Sequence, residues 1–209
     1  MATALAVLAS PLAHGQVWDK PLWARNATYL GWDGPLRCVK VVSPDSRKTV
    51  YVGPIGFDVT VAGRLTQLPE NAGVNTLAEL LWAPDSSAFV VTQSDGGNVG
   101  TWFVAVYALE GNAVTTLSVS KAVTESFKKR YPCDEPEDPN IGAVAWLEAS
   151  KMLLLAAEVP PHSTCRAMGK LGGFVVEVPG GRIVQELSEA ELRTKWGRFL
   201  GERLRTPPR

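Results

Sequence analysis

The tripeptide Pro44-Asp45-Ser46 returns 40 positions later as Pro84-Asp85-Ser86, and each copy sits between two apolar runs. Lys40-Val41-Val42 leads into the first and Leu80-Leu81-Trp82 into the second. Thr49-Val50-Tyr51-Val52 and Phe89-Val90-Val91-Thr92 follow them. Proline presets φ for a tight turn and aspartate bonds its own backbone, so each tripeptide reads as the turn of a β-hairpin. A strand-built repeat of about 40 residues constrains the fold more than anything else in the chain. One such unit cannot bury its apolar face alone, so units must stack.

A second hairpin completes each unit. Phe57-Asp58-Val59-Thr60-Val61 runs to Gly63-Arg64, and the strand that starts at Trp102 runs to Gly111-Asn112. Near-alternation of apolar and polar residues marks half-buried strands. A third copy follows an insertion. Ala145-Trp146-Leu147-Glu148-Ala149-Ser150 matches Leu81-Trp82-Ala83-Pro84-Asp85-Ser86 at a spacing of 64 instead of 40, which places the insertion between Ser118 and Asn140. Gly173-Phe174-Val175-Val176 leading to Gly180-Gly181-Arg182 is its second hairpin. The prediction is an all-β fold, a propeller-like array of four-stranded antiparallel blades.

Two helices interrupt that pattern. Residues 121–130 place Val123 and Phe127 four apart and end in Lys128-Lys129-Arg130, cations at the end the helix dipole favours. Pro132 stops this short inserted helix. A C-terminal amphipathic helix opens on Ser188 with Glu191 three residues on, a capping box. Leu192, Trp196, Phe199, Leu200 and Leu204 then share one helical face. The chain thus divides into a leader at 1–15, a propeller-like domain at 16–187, and a helix and tail at 188–209 packed on that domain.

The leader reading rests on Met1 to Ala13, which carry no charge, followed by Ala13-His14-Gly15 with small residues around one variable position. The run resembles the core and cleavage site of a secretory signal peptide, without the usual basic start. It is too short for a membrane span, which needs ~20 residues. Cleavage after Gly15 makes Gln16 the first mature residue and the protein periplasmic or secreted. Cys133 and Cys165, both in polar loop-like stretches, are natural bridge partners in such a compartment, leaving Cys38 on an apparent strand as a buried thiol. The 21 basic and 21 acidic side chains cancel, so nothing in the balance points to nucleic acid.

Residues 42–51 and 82–90, built around the two Pro-Asp-Ser turns, resemble TolB-like β-propeller repeats. In those repeats Trp/Phe-Ser-Pro-Asp-Gly precedes an apolar strand. The resemblance covers most of residues 36–187. It implies blades and leaves activity open, because this fold hosts enzymes, scaffolds and receptors alike. Ser46 and Ser86 stand where the family has glycine, and Glu148-Ala149-Ser150 replaces Pro-Asp in the third copy. Three blades also fall short of the four to eight that close a ring. A single chain with a degenerate fourth blade from residues 16–35 is the expectation; the alternatives are edges covered by the aromatic N-terminal segment and the C-terminal helix, or a homodimer completing a six-bladed ring.

Catalytic signatures are missing from the sequence. There is no Gly-x-Ser-x-Gly elbow, no His-Glu-x-x-His and no phosphate loop. His162 is the one histidine outside the leader, and Pro160-Pro161-His162-Ser163 reads as an exposed loop. The acidic run 133–138 lacks the alternating ligands and central glycine of a calcium loop. Neither a metal nor any other cofactor is expected. Trp82 and Trp146 occupy equivalent repeat positions and read as core. Trp32 beside Asp33, and Trp102, are the candidates for an exposed aromatic platform suited to sugar or peptide. Asp134 and Glu135, near Arg166 and Lys170 across a Cys133–Cys165 bridge, form a candidate charged face. Asn26-Ala27-Thr28 fits the N-glycosylation triplet, which is common by chance.

These readings lean toward a non-enzymatic exported module that binds a protein or small extracytoplasmic ligand. The alternative is a propeller-type hydrolase or lyase using two carboxylates.

Overall fold

The computed structural model describes residues 20–30, 38–53, 56–66, 68, 75, 77–96, 99–111, 113–134 and 137–205. Three antiparallel sheets follow one another along the chain. The first holds β2 (Val39–Val42), β3 (Lys48–Gly53), β4 (Gly56–Val61) and β5 (Arg64–Leu65). The second holds β6 (Leu77–Trp82), β7 (Ala88–Ser94), β8 (Trp102–Glu110) and β9 (Ala113–Leu117), with β1 (Thr28–Tyr29) added beside β6. The third holds β10 (Asn140–Leu147), β11 (Met152–Glu158), β12 (Leu171–Glu177) and β13 (Ile183–Ser188). The predicted hairpins form: Val39 faces Val52, Leu81 faces Val90, and Trp146 faces Leu153.

Hydrophobic pattern records the order of the layers. β3 alternates burial because the first sheet packs only one face on a neighbour. Val50, Val52, Phe57 and Val59 of that sheet meet Leu80, Phe89, Val91 and Tyr107 of the second. β7 is buried at every position because both its faces are covered. Its Ala88 and Val90 turn the other way, toward Leu153, Leu155 and Phe174 of the third sheet. α1 (Lys121–Arg130) drops Val123 and Phe127 into that same layer. The far face of the third sheet, Leu154, Ala156 and Val175, is covered by residues 22–23 and by the C-terminal Leu192, Leu200 and Leu204.

The turns that defined the repeat are equivalent in detail. Ser46 and Ser86 have φ of 59° and 61°, a left-handed backbone that glycine enters most easily. Ser150 takes the same role in the third sheet at φ 74°. Serine at positions 86 and 150 has a structural reason. The Asp45 N–H donates to Ser86 Oγ at 3.0 Å, and the Asp85 N–H donates to Ser150 Oγ at 3.3 Å. Each serine hydroxyl therefore ties its own turn to that of the preceding sheet. Ser86 is fully buried, whereas Ser46 is exposed at the start of the series. Ser86→Ala should cost about 1.5 kcal/mol by orphaning a backbone donor, and Ser46→Ala less than about 0.5 kcal/mol. Urea unfolding of the two variants checks the difference.

α1 spans the predicted residues and is followed by the loop carrying Cys133. The capping box at Ser188 forms on both sides, opening α2 (Glu189–Trp196). The single C-terminal helix of the sequence reading is instead broken. A 3-10 turn (Gly197–Phe199) separates α2 from α3 (Glu202–Arg205). The breaks fall at Gly197 and Gly201. At Gly201 a Cβ would lie 2.4 Å from the Leu22 carbonyl carbon, so only glycine lets the two backbones meet. A segment at 20–30 runs alongside. Ala24 bridges Leu200, and the Gly201 and Arg203 N–H groups donate to Trp23 and Leu22. The degenerate fourth blade expected from residues 16–35 is not built in the described part of that stretch. Residues 20–30 contribute the two residues of β1 to the second sheet and otherwise strap the chain ends together.

Candidate functional site

The first strands of the three sheets converge on one cleft of about 540 Å³. β2 supplies Val41 and Val42, β6 supplies Leu81 and Trp82, and β10 supplies Ala145 and Trp146. These are equivalent positions of the repeat, brought together by the stacking. Asn26 and Thr28 of the strap and Phe199 of the C-terminal turn complete the wall. The Trp146 indole N–H donates to the Leu81 carbonyl at 3.1 Å, fixing the third sheet against the second at the floor. Trp82 packs its ring 5.1 Å from Phe89 and belongs to the core, as its repeat position predicts. Among the described residues, no ionisable side chain lines this cleft.

Carboxylates at the turns beside it are held as anions. The Ser43 hydroxyl, then the Arg47 N–H and Lys48, keep Asp45 below the usual carboxylate range. For Asp85, burial pulls upward, but the Ser87 hydroxyl and N–H outweigh it and the net direction is down. Such groups do not donate protons near neutrality.

The strap is held by a residue the sequence reading missed. Glu79 lies in β6, almost fully buried. Its Oε2 accepts from the Leu22 N–H at 2.8 Å and its Oε1 from the Ala24 N–H at 2.9 Å, and both reach the Trp23 N–H at 3.2 Å. Burial pushes this carboxyl up to about 7, against the pull of those three donors. A second buried acidic side chain, Glu158, accepts two bonds from Arg203, at 2.7 and 3.0 Å. The Arg203 guanidinium also lies 5.4 Å from the Trp23 ring and 5.7 Å from the Trp102 ring. The available signal was a charged residue inside an apolar strand, Leu77-Ala78-Glu79-Leu80-Leu81-Trp82.

The structure redistributes the sequence candidates. Trp102 is no platform: it is 1% exposed, 5.8 Å from Trp23 in the layer under the strap. It opens β8, and its backbone N–H donates to the Asn140 side-chain oxygen at 3.0 Å. Trp32, Asp33 and Glu135 lie outside the described residues. Asp134 is exposed in a separate hollow of about 560 Å³, with Thr164 and Arg166 beside the disulfide. Cys133 and Cys165 are bonded, with Cα atoms 5.3 Å apart. Cys38 is exposed, not buried, because it precedes β2 instead of lying within it. The basic end of α1 meets acids as well: Lys128 pairs with Asp138 at 2.6 Å, and Arg130 pairs with Glu186.

Among the described residues no helix is long and apolar enough to cross a membrane. Within the same residues no three acidic, cysteine or histidine side chains gather as metal ligands would. No protein-family model matches the chain, and no curated protein matches it either.

Proposed function

We propose that the chain is an exported, non-enzymatic, propeller-like module that binds an extended apolar segment of a protein in the cleft at its inner strands. One observation carries the reading: equivalent residues of three successive sheets line a common cleft whose described lining holds no ionisable group. A carboxylate-dependent hydrolase or lyase needs two acids about 5–9.5 Å apart facing substrate. Among the described residues the two strongly buried acids are already engaged, Glu79 by three backbone donors and Glu158 by Arg203. An apolar, partly open cleft suits recognition by shape and burial.

The propeller-like arrangement is supported by the serine bonds between successive turns. It departs from a closed ring at both ends. The outward face of the first sheet carries Lys40, Tyr51 and Asp58 in one cross-strand row and Thr49 with Thr60 in another. Polar outer faces are how stacked repeats end. At the other end the strap and the C-terminal helices cover the third sheet. Export is supported by the disulfide, a bond of oxidising compartments, together with the apolar run at residues 1–13.

A displayed library of random peptides tests the reading. The wild-type chain should enrich uncharged apolar sequences at least tenfold over the Leu81→Asp variant, which sets a charge in the cleft floor. Enrichment indifferent to Leu81→Asp, or polysaccharide cleavage by the purified protein, would overturn it.

A further inference from the structure

A sheet edge is a template for another strand unless it is short, charged, bulged or covered. The outer edges of the three sheets are β5, β9 and β13. β5 is two residues long and carries Arg64. β13 carries Glu186 and loses register opposite Val175 and Val176. It is also flanked by α1, whose Arg130 donates to the Leu187 carbonyl at 3.1 Å. The inner edges are managed too: β1 is two residues long, β2 carries Lys40, and β10 has a register break at Ala143/Ala145. Among the described residues β9 has none of these devices. Ala113-Val114-Thr115-Thr116-Leu117 is uncharged, holds no proline and pairs with β8 without a break. Ala113, Thr115 and Thr116 are exposed.

The direction of its backbone groups can be deduced. The Leu109 N–H donates to the Ser87 carbonyl at 2.8 Å, on the side away from β9. Leu109 faces Val114, so that pair exchanges no hydrogen bonds. Alternation makes Tyr107 and Thr116 a second such pair. Val114 and Thr116 therefore turn their N–H and C=O groups to the open side.

We propose that this edge is a self-pairing surface whose partner is a second copy of the chain, joined antiparallel with Thr115 on the two-fold axis. In that register Val114 of one copy meets Thr116 of the other, and both hold outward backbone groups. The two symmetric pairs exchange about four hydrogen bonds. Thr115 meets its own copy and Ala113 meets Leu117, so no like charges oppose, and threonine pairs are favourable across strands. A formal net charge of zero removes general repulsion between copies. A five-residue edge buries less than a permanent dimer needs, so association is concentration-dependent.

The test is sedimentation equilibrium on the oxidised Cys38→Ser chain from about 10 μM to 1 mM, the range of weak contacts. The mass should climb from one chain toward two. Thr115→Lys, which sets two ammonium groups on the axis, should hold it at one chain with the unfolding midpoint unchanged. Register is read by cysteine cross-linking in the same background. With copper–phenanthroline as oxidant, two Thr115→Cys thiols give up their hydrogens and form one disulfide across a pair whose Cα atoms are ~4.5 Å apart, within disulfide reach. Thr116→Cys should stay uncross-linked. The proposal fails if the chain remains single at the highest concentration, if Thr115→Lys leaves a dimer intact, or if position 116 cross-links and 115 does not.

Discussion

Replacing Glu79 with alanine is expected to cost about 4 kcal/mol, a large share of the 5–15 kcal/mol that holds a typical domain together. The side chain is the acceptor for three buried N–H groups at Leu22, Trp23 and Ala24. Each buried donor left unpaired costs about 1–3 kcal/mol, with some relief as water enters. Glutamine should fall between, because its single carbonyl oxygen serves part of the set while its NH₂ faces the remaining donors. Urea unfolding of the two variants checks the order. The pH dependence has a definite sign. Burial raises Glu79 to about 7 from 4.5, so the native chain binds the additional proton. The contribution is fully present below pH 4.5 and is lost as pH rises through about 7. Glu79→Gln should flatten that slope. An unchanged slope between pH 4.5 and about 7 would show that Glu79 does not set it.

Removing the disulfide with Cys133→Ser and Cys165→Ser together should lower stability by about 3.5 kcal/mol, and the melting temperature by about 10 °C. The estimate follows from the sequence separation of 32, which fixes how much freedom the unfolded chain regains. The native consequence is local. The bridge joins the loop after α1 to the β11–β12 loop, and both line the hollow that holds Asp134 and Arg166. Calorimetry with and without reductant reads the same quantity on the unmodified protein. Equal midpoints would mean that the two loops are held by other contacts, such as the Lys128–Asp138 pair.

The strands, the turns and their order were legible because each rests on local chemistry. Pro-Asp-Ser marks its turn whatever surrounds it, and the Ser188/Glu191 capping box names its helix start without tertiary help. The continuous runs Phe89-Val90-Val91 and Leu153-Leu154-Leu155 were read as strands, but that both their faces are covered was learned only from the structure. What stayed hidden depends on distant partners. Glu79 bonds residues 55–57 positions away, and Arg203 reaches Glu158 across 45. Trp102 looks like an exposed aromatic after a glycine-rich loop until the strap and Arg203 close over it. The cleft was invisible for the same reason. Val42, Trp82 and Trp146 were recognised as equivalent, but equivalence says nothing about the space they enclose.

The strap joins the first described residues to the last. Pro21 and Leu22 accept from Glu202 and Arg203, and Trp23 accepts from Gly201. The strap's donors meet Glu79, 55–57 positions on, but its carbonyls at 21–23 are answered by residues 201–203. A chain emerging from a ribosome or a translocation pore therefore holds the strap's carboxylate partner long before its backbone donors, and the segment is seated in full only when both have folded against it.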